Sequence, residues 1–192
     1  MVISKQEVVV GVRFFNYSFF CMRKIILVCL LSLICSIDMA GQIQRKFFGL
    51  NLGVATRQEV INIFKAKQKE IWLPGDDHFS VRDISFGGNR WPVVYFYFYD
   101  NKLYLIYFSD TDRFSNVNTL NAIWERLDVS LSLKYKDYYD DKQSTLYKKV
   151  FNDNRTRLNF DYKYVDGIKG ITLMYTDIRS QYEMFMNEED EL

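Results

Sequence analysis

The stretch WPVVYFYFYDNKLYLIYF, Trp91–Phe108, constrains the fold more than any other part of the chain. Aromatic and β-branched residues favour strands, and Asp100-Asn101 interrupts the run with two residues that tolerate positive φ, which suits a two-residue hairpin loop. That loop pairs Phe98 with Leu103, Phe96 with Leu105 and Val94 with Tyr107. One face is then aliphatic and Phe-rich. The other carries Val93, Tyr95, Tyr97, Tyr99, Tyr104, Ile106 and Phe108. A half-buried strand alternates apolar and polar residues, so a hairpin without a polar face needs cover on both sides. The aliphatic face suits the helix side of a sheet. The tyrosine-rich face fits two arrangements: a second core with the hydroxyls at its margin, or an exposed platform that meets a partner. Tyrosine offers large contact area and is enriched at interfaces. Tyr95, Tyr97, Tyr99 and Tyr104 are therefore the candidate partner-binding residues.

The rest of the chain supplies elements around this hairpin. Thr56 and Glu59 have capping-box spacing, and Val60, Ile61 and Phe64 follow at helical spacing, which predicts a helix over Arg57–Lys69. Strands are expected at Val81–Phe86, Trp91–Tyr99 and Lys102–Phe108. Leu120, Ile123, Trp124, Leu127 and Leu131 define a second amphipathic helix, capped by Ser115 or Asn116 and ending between Leu133 and Tyr139. Three further strands are expected at Thr145–Phe151, Thr156–Val165 and Ile168–Thr176. Asp166-Gly167 is a hairpin signal. It pairs Tyr162 with Ile171, Phe160 with Leu173 and Leu158 with Tyr175 on one face, and leaves Arg157, Asn159, Asp161 and Lys163 on the other. The order helix–strand–strand–strand thus occurs twice. The expected fold is α+β: tandem units of a helix plus a three-stranded antiparallel sheet, with the helices on one face of the sheet or sheets. The halves fall at about 47–110 and 111–180, and the acidic tail at 187–192 is expected to fray.

The segment LGVATRQEVINIF, Leu52–Phe64, resembles the Gly-x-Ser/Thr-x-x-Glu-Val opening of the small outer-membrane lipoprotein and beta-lactamase inhibitory protein-like superfamily. The hairpin Tyr95–Phe108 resembles it too. Gly53 stands one residue further from Val60 than in that pattern, and the Gly-Pro that often follows the helix is missing. Members are secreted or periplasmic, and several are tandem copies of a helix-plus-sheet unit. The resemblance implies that architecture and an exported setting, but not one function, because members share a fold more than a role.

The residues preceding the domain point to export on their own. Arg23-Lys24 followed by the apolar run Ile25–Ile34 has the form of a secretory signal over 22–40, with cleavage after Ala40. The run is shorter than the ~20 residues that span a bilayer, so no transmembrane span is expected once the signal is removed. Lipidation at Cys35 is the competing outcome, although Ile34 is bulky for the position before a lipid-bearing cysteine. Residues 1–21 precede a complete signal and are read as an upstream extension, with Met22 as the alternative start. The expected location is periplasmic or extracellular. All three cysteines, Cys21, Cys29 and Cys35, lie within these segments, so the mature chain 41–192 has none and no disulfide. Four of the 25 basic and two of the 24 acidic residues precede Gly41, which leaves 21 and 22. That balance argues against nucleic acid, which needs a basic stripe.

Catalytic chemistry finds few handholds. His78, the only histidine, follows Asp76 and Asp77 on what reads as a solvated loop, and three adjacent residues rarely converge on a metal ion. Gly87-Gly88 lacks the Lys and Ser/Thr of a phosphate loop. The carboxylate pairs Asp140-Asp141 and Asp110 with Asp112 read as caps and solubilising charges. No metal, no cofactor and no enzymatic activity is expected. The leading expectation is an exported, non-enzymatic protein that binds another protein or a cell-envelope component through the tyrosine face. Its rival is a small-molecule or glycan-binding module with a cleft between the halves.

Overall fold

The structure, a computed structural model, describes residues 42–73, 75–111, 113–165 and 168–189. The signal at 22–40, Cys35, the Asp166-Gly167 turn and the end of the acidic tail lie outside them. The described residues from Ile43 onward form one compact unit.

Both predicted helices form, for the reasons read from the sequence. Helix α1 (Arg57–Ala66) begins at a complete capping box: Thr56 accepts from the Glu59 N–H, and Glu59 accepts from the Thr56 N–H. Val60, Ile61 and Phe64 are buried. Helix α2 (Val117–Lys134) is capped by Asn116, whose side chain accepts from the Thr119 N–H at 2.9 Å. Leu120, Trp124, Leu127 and Leu131 are buried, while Ile123 is only partly so. Trp124 lies flat on Phe160 at 4.5 Å between ring centroids. A 3-10 turn at Lys136–Tyr138 follows α2.

The architecture differs from the tandem arrangement expected. Strands β3 (Ile71–Trp72), β4 (His78–Phe86), β5 (Asn89–Tyr99), β6 (Lys102–Thr111), β7 (Lys148–Asn152), β8 (Thr156–Val165) and β9 (Ile168–Asp177) form one sheet in the order β3-β4-β5-β6-β9-β8-β7. A separate two-stranded ribbon, β1 (Lys46–Phe47) and β2 (Leu50–Asn51), and a third helix, α3 (Ile178–Glu189), complete the fold. The protein is thus dominated by antiparallel sheet and is not a tandem of helix-plus-three-strand units. The cause is an edge. In the tandem reading β6 and β9 each end a meander with a row of unpaired N–H and C=O groups on a long apolar strand, a strong template for further pairing. The two edges satisfy each other, from Leu105 opposite Thr176 to Thr111 opposite Gly170. The edges that remain are the two-residue β3 and the lysine-bearing β7, both poor templates.

Register explains how the core is filled. The β8–β9 hairpin pairs as expected, with Tyr162 opposite Ile171, Phe160 opposite Leu173 and Leu158 opposite Tyr175. The β5–β6 hairpin does not. Asp100 and Asn101 both adopt positive φ in the turn, and Phe98 faces Leu103, but a bulge then shifts the register. Phe96 meets Ile106 and Val94 meets Phe108, so Ile106 and Phe108 enter the core while Leu105 and Tyr107 turn to the tyrosine face. A second irregularity lies where Asp83 adopts φ 54° across from Pro92, which has no N–H to give the ladder. Val81 and Val94 are buried on one side of this break, Ile84 and Trp91 on the other. The break shifts the alternation of both strands by one, and Trp91 packs against Phe108 at 5.4 Å. Helices α1 and α2 cover the same face: Phe64 meets Phe96 at 5.1 Å, and Trp124 meets Phe160.

Gly53, in the segment that leads into α1, has φ 81°, and an added Cβ would stand 2.5 Å from the Asp177 carboxylate. Asp177 is bound there by Arg45 through one oxygen and caps α3 through the other, accepting from the Ser180 N–H at 2.9 Å. A short polar junction thus ties the start of the domain to its last helix.

Candidate functional site

The face opposite α1 and α2 can be laid out from the strand registers. One row crosses the sheet as His78, Tyr97, Leu105, Thr176, Arg157 and Asn152. The next reads Ser80, Tyr95, Tyr107, Met174, Asn159 and Val150. A third reads Arg82, Val93, Ser109, Thr172, Asp161 and Lys148. The face is therefore graded, aromatic over β4–β6 and polar or charged over β8 and β7.

The aromatic end is a connected set of rings. His78 stacks on Tyr97 at 5.0 Å, Tyr97 lies 6.3 Å from Tyr95, and Tyr95 lies 6.0 Å from Tyr107. Tyr95, Tyr97 and Tyr107 are all half-buried, with the small buried Ser80 and Thr172 between larger neighbours. Burial pushes the Tyr97 hydroxyl above the ordinary phenol range, with Tyr95 and Asp77 adding to the effect. It does the same to Tyr107, offset in part by a hydrogen bond with Thr172. At the polar end burial raises the Asp161 carboxyl, while Lys163 and Lys148 pull it back. Arg157 Nε, Asn159 Oδ1 and Ser80 Oγ have no hydrogen-bond partner among the described residues.

The four tyrosines singled out from the sequence do not all meet. Tyr95 and Tyr97 stand together at the centre of the ring row. Tyr99 is drawn to α3, where its hydroxyl is bonded by Asn187 and lies 3.5 Å from the Glu183 carbonyl. Tyr104 sits at the bulge, and the residue opposite Tyr97 is Leu105. Leu105 thus takes the place opposite Tyr97 expected for Tyr104, and Tyr107 takes the place opposite Tyr95 expected for Ile106. His78 is not on a solvated loop: it begins β4, half-buried beneath the ring row, with Nδ1 2.7 Å from Asp77. Tyr107 carried no signal, because YLIYF alternates equally well in either register and only the bulge decides between them, whereas Met174 follows from the β8–β9 register, which sets it opposite Asn159.

A second site lies on the helix side. A cavity of about 460 Å³ opens between the Asp83/Pro92 break, the β4–β5 turn and the first half of α2. Asp110 lines it and is only 1% exposed. Its Oδ2 accepts from the Ser115 hydroxyl at 2.8 Å, and its Oδ1 has no partner. Burial pushes this carboxyl up, with hydrogen bonds from Ser115 and the Thr111 backbone opposing. Asp110 is thus no solubilising charge; it closes the buried face of β6 opposite Ile171.

Among the described residues no group of three His, Cys, Asp or Glu side chains is placed to hold a metal ion, and no helix is long and apolar enough to cross a membrane. The chain matches no family model, and no curated protein and no solved structure shows significant similarity to it.

Proposed function

We propose that this chain is an exported, non-enzymatic binding protein that docks a protein of the cell envelope on the tyrosine face of its sheet. The observation that carries the reading is the row His78–Tyr97–Tyr95–Tyr107, half-exposed on the face that α1 and α2 leave free. Protein interfaces concentrate aromatic residues and Met at their centre and polar groups at the rim. The graded face has that order, with Met174 between the rings and the polar Asn159, Arg157 and Asp161. The mixed charges of β7 and β8 fit a protein surface better than an anionic lipid one. Members of the superfamily that Leu52–Phe64 resembles are secreted or periplasmic and include inhibitors that bind other proteins, which agrees with this reading.

The test is the double variant Tyr95→Ser/Tyr97→Ser. Cross-linking in intact cells with the wild type should capture one envelope protein, and the double variant should lose it while keeping its melting temperature within a few degrees. Each lost anchor is worth about 2 kcal/mol of binding. Unfolding of the variant without a specific loss of binding would make the face structural. Capture of a soluble glycan in place of a protein would transfer the face to the small-molecule reading.

A further inference from the structure

The Asp110 cavity lies on the opposite side of the sheet from the tyrosine face and is independent of it. We propose that it is a binding site for a small organic cation, a primary ammonium or guanidinium carried on an apolar body, with the cationic head at Asp110 Oδ1. A buried carboxylate normally keeps a cation or several donors around it. Asp110 has the Ser115 hydroxyl and the neighbouring Thr111 backbone as donors, and its Oδ1 is left without a partner. The nearby guanidinium groups are engaged elsewhere: Arg90 holds Asp83 at 2.7 Å, and Arg126 bonds the Gly88 carbonyl and the Asn89 side chain. The chain therefore builds an anionic floor and assigns none of its neighbouring cations to it.

The walls specify the remainder of the ligand. Pro92 and Ile123 supply apolar surface, and Ile123 is the one member of the α2 stripe that stays partly open because it borders this space. Phe114 stands at the rim with 59% of its surface exposed. An aromatic ring beside a carboxylate-floored cavity is placed to cover an apolar body or to face a cation over its π system. The volume falls in the range of about 300–1,000 Å³ that small-molecule sites occupy. Asp83 also lines the cavity but is held by Arg90, which leaves the Asp110 carboxylate and the Ser115 hydroxyl, too few ligands for a hard metal ion, whereas a single ammonium needs no more than one strong acceptor and an apolar wall.

The experiment titrates the purified protein with benzylamine, benzyl alcohol and benzoate, following backbone amide resonances. Benzylamine should shift residues 88–90 and 114–123 and bind about tenfold or more tightly than the alcohol, since a site built for a charged donor discriminates against an analogue lacking it. Benzoate should not bind. Asp110→Asn should weaken benzylamine about tenfold or more, and Phe114→Ala, at a mostly exposed position, severalfold. Equal binding of amine and alcohol, shifts confined to other regions, no shift at millimolar amine, or an unchanged affinity in folded Asp110→Asn would each overturn the proposal. The amine–alcohol comparison is made on the wild type, so it decides even if a variant does not fold.

Discussion

Asp177 illustrates how much a single side chain decides here. Burial by itself would raise its carboxyl, but the hydrogen bonds from Arg45 and Ser180 outweigh that and hold it below the usual carboxylate range. A carboxyl whose folded pKa is depressed adds stability above its unfolded value, about 3.9, and that stability is lost as pH falls through the folded value. Asp177→Asn should therefore cost on the order of 3 kcal/mol near neutrality, the cost of breaking a mostly buried pair. The unfolding free energies of wild type and variant should converge below about pH 4. Denaturant titrations at several pH values check this, and parallel curves would show that the Arg45 pair is not the source. Asp110 has the opposite sign. Its raised carboxyl contributes stability below the unfolded pKa and loses it as pH rises through the folded one, the behaviour of a group retained for something other than stability.

Elements show where a pattern suffices and where it fails. Helix α2 was legible because its apolar residues repeat at helical spacing and Asn116 provides a cap. The consequence is a stacked contact of Trp124 on Phe160 and, further off, on Tyr162 at 5.7 Å. Trp124→Ala should cost about 3–5 kcal/mol, read as a fall in the midpoint of chemical denaturation; an unmoved midpoint would mean that the stack carries no load. Helix α3 was not legible. Its apolar residues Tyr182, Phe185 and Met186 are exposed, so they mark no buried stripe, and its first turn is capped by Asp177, whose carboxylate is held from the other side by the distant Arg45. The β5–β6 hairpin lies between these cases. Its turn and first pair were legible, and the bulge at Tyr104 was not, because both faces of the strand are apolar and hydrophobic pattern alone cannot choose a register.

At the scale of the molecule, the β6–β9 pairing joins the two meanders into one sheet and gives both helices a common face to pack on. One core runs from Phe64 and Phe79 through Phe108 and Tyr175 to Phe160 and Trp124. Heat or denaturant should therefore unfold the domain in a single transition, with fluorescence and far-ultraviolet circular dichroism coincident. Two separated transitions, or a stable fragment ending near Thr111, would show that the halves fold independently. The same continuity shapes the proposed interface, since the aromatic end of the face comes from β4–β6 and the polar end from β8 and β7.

The sequence by itself determined the six longer strands, the first two helices with their caps, the β8–β9 register and the unusual apolarity of the Trp91–Phe108 hairpin. These follow from local dihedral preference, capping chemistry and period, which act over a few residues. Only the tertiary structure decided that two edge strands close on each other, that a bulge brings Tyr107 in place of Ile106 beside Tyr95, and that Asp110 lies buried at the floor of a cavity. Each of those depends on groups brought together from distant parts of the chain, where the need to satisfy backbone hydrogen bonds and to fill one shared core outweighs any local signal.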